Sequence, residues 1–226
     1  MDRLEYKEIN EIIRHKDEIL SDLKSKDREK RKIAWDKIKS LVDTGNVKVL
    51  EGKKNYLRSL LWNRIQGVRE DAWSHLDIYK ELSVEGIERG LRANSDRIKW
   101  TAWSHIFELM DMGIITRKKV IEDKYSFWRL LRSRWSTIRK KAWRLFVDLV
   151  KARIFDRRDV GRYVEFLRHN KPSVRIYAWE VALQLLNLGF IDANTLKSNQ
   201  IYLEDLTKIE SRIKKRALRI LLRLKS

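Results

Sequence analysis

The sequence predicts an all-α protein made of about six similar helical hairpins, and three observations carry this prediction. The dipeptide Ala-Trp recurs every 30 to 40 residues, a Leu stands eleven residues before each Ala, and apolar residues follow each Ala at helical spacing. A period of this length is typical of repeat proteins whose unit is a pair of helices. The copies are Ala34-Trp35, Ala72-Trp73, Ala102-Trp103, Ala142-Trp143 and Ala178-Trp179, with Ala217-Leu218 as a degenerate sixth.

Six leucines mark the first helix of each hairpin. Each has another apolar residue four positions earlier, which is one helical turn away and indicates the buried face of a helix. These leucines are Leu23, Leu61, Leu91, Leu131, Leu167 and Leu206. The 30-residue step between Ala72 and Ala102 leaves room only for a short first helix, around residues 84–92.

The second helix of each hairpin runs through the Ala, as Phe146 and Leu149 show by following Ala142 four and seven positions later. Three glycines stand eleven residues after an Ala, where a residue in the left-handed conformation is expected to end the helix. They are Gly45, Gly113 and Gly189. The N-caps expected for the helices that follow are Thr116, Asp156 and Asp192.

The charge of the N-terminal segment sets it apart from the rest of the chain. Residues 1–23 hold four basic and seven acidic side chains and are expected to form one or two capping helices. Residues 24–226 carry the basic repeats. We expect residues 1–226 to form a single domain.

The start of the second helix carries a family resemblance. It reads Val or Ile, a basic residue, two variable residues and Ala, as in VREDAW, IRKKAW, VRIYAW and IKKRAL. This string resembles the HEAT repeat from about Ile19 to the C-terminus, although the Trp after Ala and the absence of a first-helix proline depart from the family. The resemblance implies an α-solenoid, a curved superhelix whose second helices line the concave surface.

A basic residue stands three positions before every Ala of the repeat. These residues are Arg31, Arg69, Lys99, Arg139, Arg175 and Lys214. Each shares a helix flank with the Trp four positions later, so a cation lying over the indole is expected there. HEAT arginines at this position commonly join successive repeats. We therefore interpret the six as a structural ladder rather than a binding surface.

The remaining positive charge is unevenly distributed. The chain has a formal charge of +19, and residues 117–177 alone hold 19 basic and 6 acidic side chains. In a solenoid the turns between first and second helices stack along one edge, together with the positive ends of the second helices. The candidate nucleic-acid-binding residues, in these turns and on the fourth second helix, are Arg64, Arg92, Arg132, Arg134, Lys140, Lys141, Arg144, Arg168 and Lys171.

Four interpretations of this charge stay open. A thermostable protein carries many surface ion pairs, but such a surface balances the two signs. A non-catalytic protein that binds the phosphate backbone of nucleic acid, duplex DNA rather than RNA, accounts for the excess. A scaffold for an acidic protein partner would also do so. Distant, fold-level similarity to AlkD-type HEAT-repeat DNA glycosylases suggests a fourth, in which Trp73 and Asp77 would hold an extruded alkylated base.

Several classes of site are excluded or unsupported. There is no Cys and there are four His, so thiolate chemistry is impossible and no metal site or cofactor is expected. The sequence contains no P-loop and no hydrolase or zinc-protease motif. No apolar stretch approaches the length needed to span a bilayer, and a soluble, cytoplasmic protein is expected.

Overall fold

The computed structural model describes residues 3–226, and the all-α prediction is confirmed for that range, in which no strand occurs. The chain divides into two compact units, which meet in sequence after Thr116 and are described separately. The single domain expected over residues 1–226 stays a prediction. No helix within residues 3–226 is long and apolar enough to cross a membrane.

The first unit contains one N-terminal helix followed by three helical hairpins, the first of which pairs the second and third helices of the chain. Its 3-10 helices are Val47–Lys53 and Ile87–Arg92. Its α-helices are α1 (Arg3–Arg14), α2 (Lys16–Asp22), α3 (Arg28–Asp43), α4 (Lys54–Leu60), α5 (Gln66–Trp73), α6 (Leu76–Glu81), α7 (Asp96–Ser104) and α8 (Ile106–Asp111). The N-terminal segment therefore forms two helices, and the first helix of the third hairpin is a short 3-10 segment, both as the sequence predicts.

The second unit contains the remaining hairpins. Its 3-10 helices are Trp128–Arg132 and Arg157–Asp159. Its α-helices are α9 (Arg117–Phe127), α10 (Ser136–Lys151), α11 (Val160–Leu167), α12 (Pro172–Glu180), α13 (Ala182–Asn187), α14 (Ala193–Ser198), α15 (Gln200–Leu206) and α16 (Arg212–Lys225). Within this unit α12 packs against α10, α11, α15 and α16.

The core of both units follows the periodic positions of the sequence. All five Trp residues of the Ala-Trp pairs are buried, as are their Ala partners and the six leucines of the first helices. Burying one such aromatic ring contributes on the order of 2–3 kcal/mol. The Ala, Trp and Leu residues that recur at regular spacing in the sequence are therefore the ones that face the core.

The left-handed helix ends are confirmed at all three predicted glycines, where φ lies between 71° and 78°. The same position, eleven residues after Ala, is also left-handed in the two hairpins that lack a glycine there. Ser83 has φ 53° and Arg153 has φ 58°. In each case the N–H of the next residue bonds back five residues, as Ile154 does to Leu149 at 2.9 Å. All five hairpins therefore end with the same Schellman motif.

The second helices of three hairpins differ from the sequence prediction of one continuous helix. They are interrupted three residues after the Ala, at His75, His105 and Val181, whereas α3 and α10 run through. At the first interruption the Ser74 hydroxyl donates to the Glu70 carbonyl at 2.8 Å, and His75 Nδ1 lies 2.7 Å from the Asp71 carbonyl. These side chains compete with the backbone for the carbonyls four residues back, which favours a bend.

Candidate nucleic-acid interface

In four hairpins the turn between the two helices is fixed by the Trp of the Ala-Trp pair. The indole Nε1 of Trp143 donates to the carbonyl of Leu131, the last core residue before the turn, at 2.9 Å. Trp73, Trp103 and Trp179 make the same bond to the Leu twelve residues earlier, each at 3.0 Å. Because the donor and the acceptor are both buried, each bond satisfies two groups that water cannot reach.

In three of these hairpins the side chain two positions after the Leu accepts a hydrogen bond from the backbone at the start of the second helix. Ser133 Oγ accepts from the N–H of Trp135 at 3.2 Å, and His169 Nδ1 accepts from the N–H of Lys171 at 3.1 Å. In the first unit, Asn63 Oδ1 accepts in the same way from Ile65, at 2.8 Å. Short polar side chains at this position therefore fix the point at which the second helix begins.

In four hairpins the arginine three positions before Ala also donates a hydrogen bond to a backbone carbonyl of the turn. Arg139 Nη1 donates to the Ser133 carbonyl at 2.7 Å, and Arg69 Nη1 donates to the Asn63 carbonyl at 2.8 Å. Arg31 and Arg175 make equivalent bonds in their own turns, to Ser25 and His169. Each guanidinium thus satisfies a carbonyl that the helix leaves without an intrahelical partner.

The other end of each guanidinium reaches the next hairpin. Arg31 pairs with Asp71 at 2.6 Å, and Arg69 Nε donates to Thr101 Oγ1 at 2.8 Å. Burial lowers the pKa of Arg69, as expected for a cation held in the core.

The second unit repeats this arrangement. Arg139 Nε donates to the Ser173 carbonyl at 3.1 Å, and Arg175 Nη1 to the Tyr202 carbonyl at 3.1 Å. The two lysines of the set behave differently: Lys99 is buried, and Lys214 pairs with Glu210 within its own hairpin.

The two arginines of this set in the second unit lie over tyrosine rings, in contrast to the expectation from the helical wheel that they lie over the indoles. Arg139 lies over the ring of Tyr177 and Arg175 over the ring of Tyr202, with centroid distances of 5.6 and 6.0 Å. The reason is that other rings occupy the indole faces. His75 stacks on Trp35 at 4.5 Å, and Phe166 meets Trp143 edge-on at 5.2 Å.

The seven candidate binding residues of the second unit are all exposed. They are Arg132, Arg134, Lys140, Lys141, Arg144, Arg168 and Lys171. None of them pairs with a carboxylate in the part of the chain that the structure describes. Two have other contacts: Arg134 lies over the Trp135 ring at 4.8 Å, and Arg168 Nε donates to Asn199 Oδ1 at 2.5 Å. The positive charge of these residues is therefore open to an external anion.

Cations from the turns of the fourth and fifth hairpins act on the same side chain, His169. Burial lowers the pKa of His169, and the positive charges of Lys171, Arg132 and Arg175 lower it further. Arg139 joins these two consecutive turns, because it donates to the carbonyls of both Ser133 and Ser173. A phosphate group near them would meet several cations that pair with no carboxylate among the described residues.

In the first unit, the structure exposes the two equivalent candidates, Arg64 and Arg92. Arg64 directly precedes Ile65, the N-cap of α5, and Arg92 ends the 3-10 helix Ile87–Arg92. Both therefore occupy the same kind of inter-helix turn as the candidates of the second unit.

The two residues considered for base excision differ in their exposure to solvent. Trp73 is fully buried and its N–H is bonded to Leu61, so no face of its indole is free to stack on a base. His105 also stacks on this indole at 5.2 Å. Asp77 is exposed and pairs with Lys39 at 3.7 Å. Trp73 is thus a core residue in this structure, and the base-holding role of Trp73 and Asp77 stays a hypothesis.

One buried polar cluster escaped the sequence analysis. Lys124 Nζ pairs with Asp159 Oδ2 at 2.7 Å, and the Tyr125 hydroxyl donates to Asp159 Oδ1 at 2.7 Å. Asp159 also accepts from the N–H of Asp156, forming a capping box that ties α9 to the start of the next hairpin. The spacing of Asp156 and Asp159, with acidic side chains at N-cap and third position, was the available signal.

Within residues 3–226 no cluster of three or more His, Asp or Glu side chains is arranged to hold a metal ion.

No protein-family model and no curated protein matches the chain. Among solved structures, the chain is similar to an engineered protein from the Northeast Structural Genomics Consortium. The identity is 21% and the TM-score 0.39, over 92% of this chain and 57% of that one. The chain therefore spans little more than half the length of that protein.

Proposed function

We propose that this chain is a non-catalytic nucleic-acid-binding protein of HEAT-like helical hairpins, arranged as an α-solenoid. In this proposal the turns between the two helices hold the phosphate backbone of duplex DNA. The observation that carries it is the set of seven exposed basic residues in the second unit that have no carboxylate partner among the described residues. Lys and Arg side chains in this state neutralise phosphates and release condensed counterions.

The rigidity of the turns supports the proposal. Arg132 and Arg134 flank Ser133, whose carbonyl and hydroxyl are both hydrogen-bonded, while Trp143 holds the preceding Leu131. The basic side chains therefore project from a backbone that is already ordered, so binding does not have to order it. No base-reading motif accompanies them, and contacts to phosphate position a protein without reading sequence.

The orientation of the second helices adds to the positive potential. The backbone N–H groups at the start of α10 and α12 point towards the turn that carries Arg134 and Lys171. The positive end of each helix dipole lies at the same place. In both helices the N-cap residue, Trp135 or Lys171, makes no side-chain cap hydrogen bond.

Fluorescence anisotropy with a labelled duplex at several salt concentrations tests the proposal. Affinity is expected to fall with salt, with a slope of log K against log salt of about −0.9 for each phosphate neutralised. Reversing four turn charges, by Arg132→Glu, Arg134→Glu, Arg168→Glu and Lys171→Glu, is expected to abolish most binding. A salt-independent affinity would contradict the proposal.

A matched control reverses the same number of charges at the other end of the hairpins. The control variant carries Arg117→Glu, Lys118→Glu, Lys151→Glu and Arg153→Glu, all at exposed positions. Lys151 and Arg153 lie at the C-terminal end of α10, about 24 Å from its start at 1.5 Å per residue. Binding is expected to survive largely in this variant. Equal loss in both variants would assign the affinity to net charge alone and overturn the role of the turns.

Two further measurements, of binding to acidic proteins and of base release from methylated DNA, separate the alternatives. Binding of an acidic protein in place of DNA, with no affinity for duplex, would replace the proposal with a scaffold role. Release of alkylated bases from methylated DNA would establish a glycosylase, for which the buried Trp73 offers no stacking face.

A further inference from the structure

An open groove of about 780 Å³ lies between α1 and α2 on one side and α3 on the other. Its apolar lining consists of Ile12, Ile19 and Ile33. Ile33 is 51% exposed, although it stands directly before the buried Ala34-Trp35 pair. Together with Ile12 and Ile19, the exposed Ile33 gives the groove an apolar floor on which another apolar group could pack.

The rim of this groove is acidic. Five acidic side chains line it, against two lysines. Glu11 and Glu18 have local partners, since Glu11 pairs with Arg14 and both approach His15. The other three, which pair with no cation among the described residues, are Glu8, Asp22 and Asp36. The groove is therefore suited to a segment that is apolar along its centre and basic along its sides.

The chain itself contains such a segment in α16. Seven of its fourteen residues are basic and none is acidic. Its inner face packs on α12 and α15 through Ala217 and Ile220, while Leu218 and Leu222 on the outside are 44% and 70% exposed. These two leucines lie one helical turn apart on the same face.

Each exposed leucine of α16 has a basic residue three positions earlier. These are Lys215 before Leu218 and Arg219 before Leu222, and side chains at this spacing are neighbours on a helix surface. Neither cation pairs with a carboxylate among the described residues. The outer face of α16 is thus an apolar stripe bordered by available positive charge.

We propose that the acidic groove of one chain binds α16 of a second copy of the same chain. Leu218 and Leu222 would cover Ile12 and Ile33, and Lys215 and Arg219 would meet the free carboxylates of Glu8, Asp22 and Asp36. The size is adequate, because one turn of an α-helix occupies about 400–600 Å³ at its usual pitch and diameter. The two surfaces differ, so the contact is heterologous and joins copies head to tail.

Mixing two variants tests this arrangement, because each variant removes one of the two surfaces. The groove variant carries Ile33→Glu and Asp36→Lys, and the helix variant carries Arg219→Glu and Leu222→Glu. In sedimentation velocity on nuclease-treated protein, the wild type is expected to associate across the micromolar range, less so at high salt. Each variant alone is expected to be monomeric. Their equimolar mixture is expected to form a one-to-one dimer, because one intact groove and one intact helix remain.

The control for these substitutions is Ile201→Glu, which places a charge on an equally exposed apolar side chain of α15, outside both surfaces. It is expected to leave association unchanged, and circular dichroism checks that every variant keeps its helices. A wild type that stays monomeric across this range overturns the proposal. So does continued association of either variant alone, or a mixture that remains monomeric. None of these results bears on duplex binding by the turns of the second unit.

Discussion

Trp143 and Leu131 are joined by a hydrogen bond from the indole N–H to the backbone carbonyl, 2.9 Å long, and this bond connects the two most regular features of the sequence. The Leu ends the first helix and the Trp lies on the second, twelve residues later. Three other hairpins repeat the bond. The tryptophan therefore contributes its indole N–H to a hydrogen bond in the turn as well as its ring to the core.

Replacing Trp143 with Phe is expected to lower the free energy of unfolding of the protein more than the loss of ring area explains. The substitution keeps an aromatic ring but leaves the buried Leu131 carbonyl without its donor. An unsatisfied buried polar group costs about 1–3 kcal/mol. Urea unfolding followed by circular dichroism measures the difference.

The first hairpin provides a matched control. Trp35 is as buried as Trp143, but its Nε1 has no hydrogen-bond partner. Trp35→Phe removes a similar ring area and leaves no new unsatisfied group. It is therefore expected to lower the free energy of unfolding less than Trp143→Phe does, by the contribution of one hydrogen bond. Equal costs for the two substitutions would show that the indole N–H contributes nothing.

The helix ends show how far the sequence predicts local structure. A left-handed residue eleven positions after Ala could be predicted at Gly113 because glycine favours positive φ. At Ser83 and Arg153 the side chain gives no such signal, and the conformation is imposed by the packing that every hairpin shares. The repeat period was the better predictor there than the residue type.

The contacts of the candidate site were not predictable from the sequence. The spacing puts Arg139 one helical turn before Trp143 on α10, yet the partners of Arg139 are the backbone carbonyls of Ser133 and Ser173. A carbonyl acceptor has no sequence signature, since every residue carries one. For the same reason the helical wheel could not show that Tyr177, from the next hairpin, lies under this guanidinium.

Arg153→Gly is expected to stabilise the protein. Arg153 is exposed and sits at φ 58°, a conformation that costs a residue with a Cβ roughly 1–2 kcal/mol relative to right-handed backbone. Glycine relieves this strain, and part of the gain is offset by the greater freedom of the unfolded chain. We expect a net increase of about 1 kcal/mol in the free energy of unfolding.

Lys151→Gly is the comparison for this effect, because Lys151 is also exposed and lies in the last turn of α10. There glycine is expected to cost about 1 kcal/mol, the usual penalty in a helix. Thermal melts of both variants should therefore move in opposite directions. A destabilising Arg153→Gly would mean that contacts of the arginine side chain outweigh the backbone strain.

Asp159→Ala is expected to be among the most destabilising single substitutions in the second unit. It leaves the buried Lys124 ammonium without its counter-ion, and breaking a buried pair on one side costs about 3–5 kcal/mol. The double variant Lys124→Met, Asp159→Leu removes both charges and should recover much of that loss. A double-mutant cycle in urea measures the coupling. If the double variant is less stable than Asp159→Ala, the isolated charge is not the cause.

Protein stability is expected to fall as the pH drops below about 6.5, the ordinary pKa of histidine, through protonation of His169. Burial and the charges of Lys171, Arg132 and Arg175 lower the pKa of His169 in the folded state. The unfolded chain therefore binds the proton first, which favours unfolding as the pH falls. Protonation also places a hydrogen on Nδ1, the atom that accepts the Lys171 N–H and caps α12.

His169→Asn isolates this contribution, because Asn63 already fills the equivalent capping position in the first unit, accepting from Ile65 at 2.8 Å. The variant is expected to keep the cap and to lose part of the stability change between pH 7.5 and 5.5, a range that spans the histidine pKa at about 6.5. The other three histidines are the same in both proteins, so whatever they contribute to the pH profile cancels in the comparison. Identical pH profiles of urea midpoints for wild type and variant would show that His169 keeps an ordinary pKa in the folded protein.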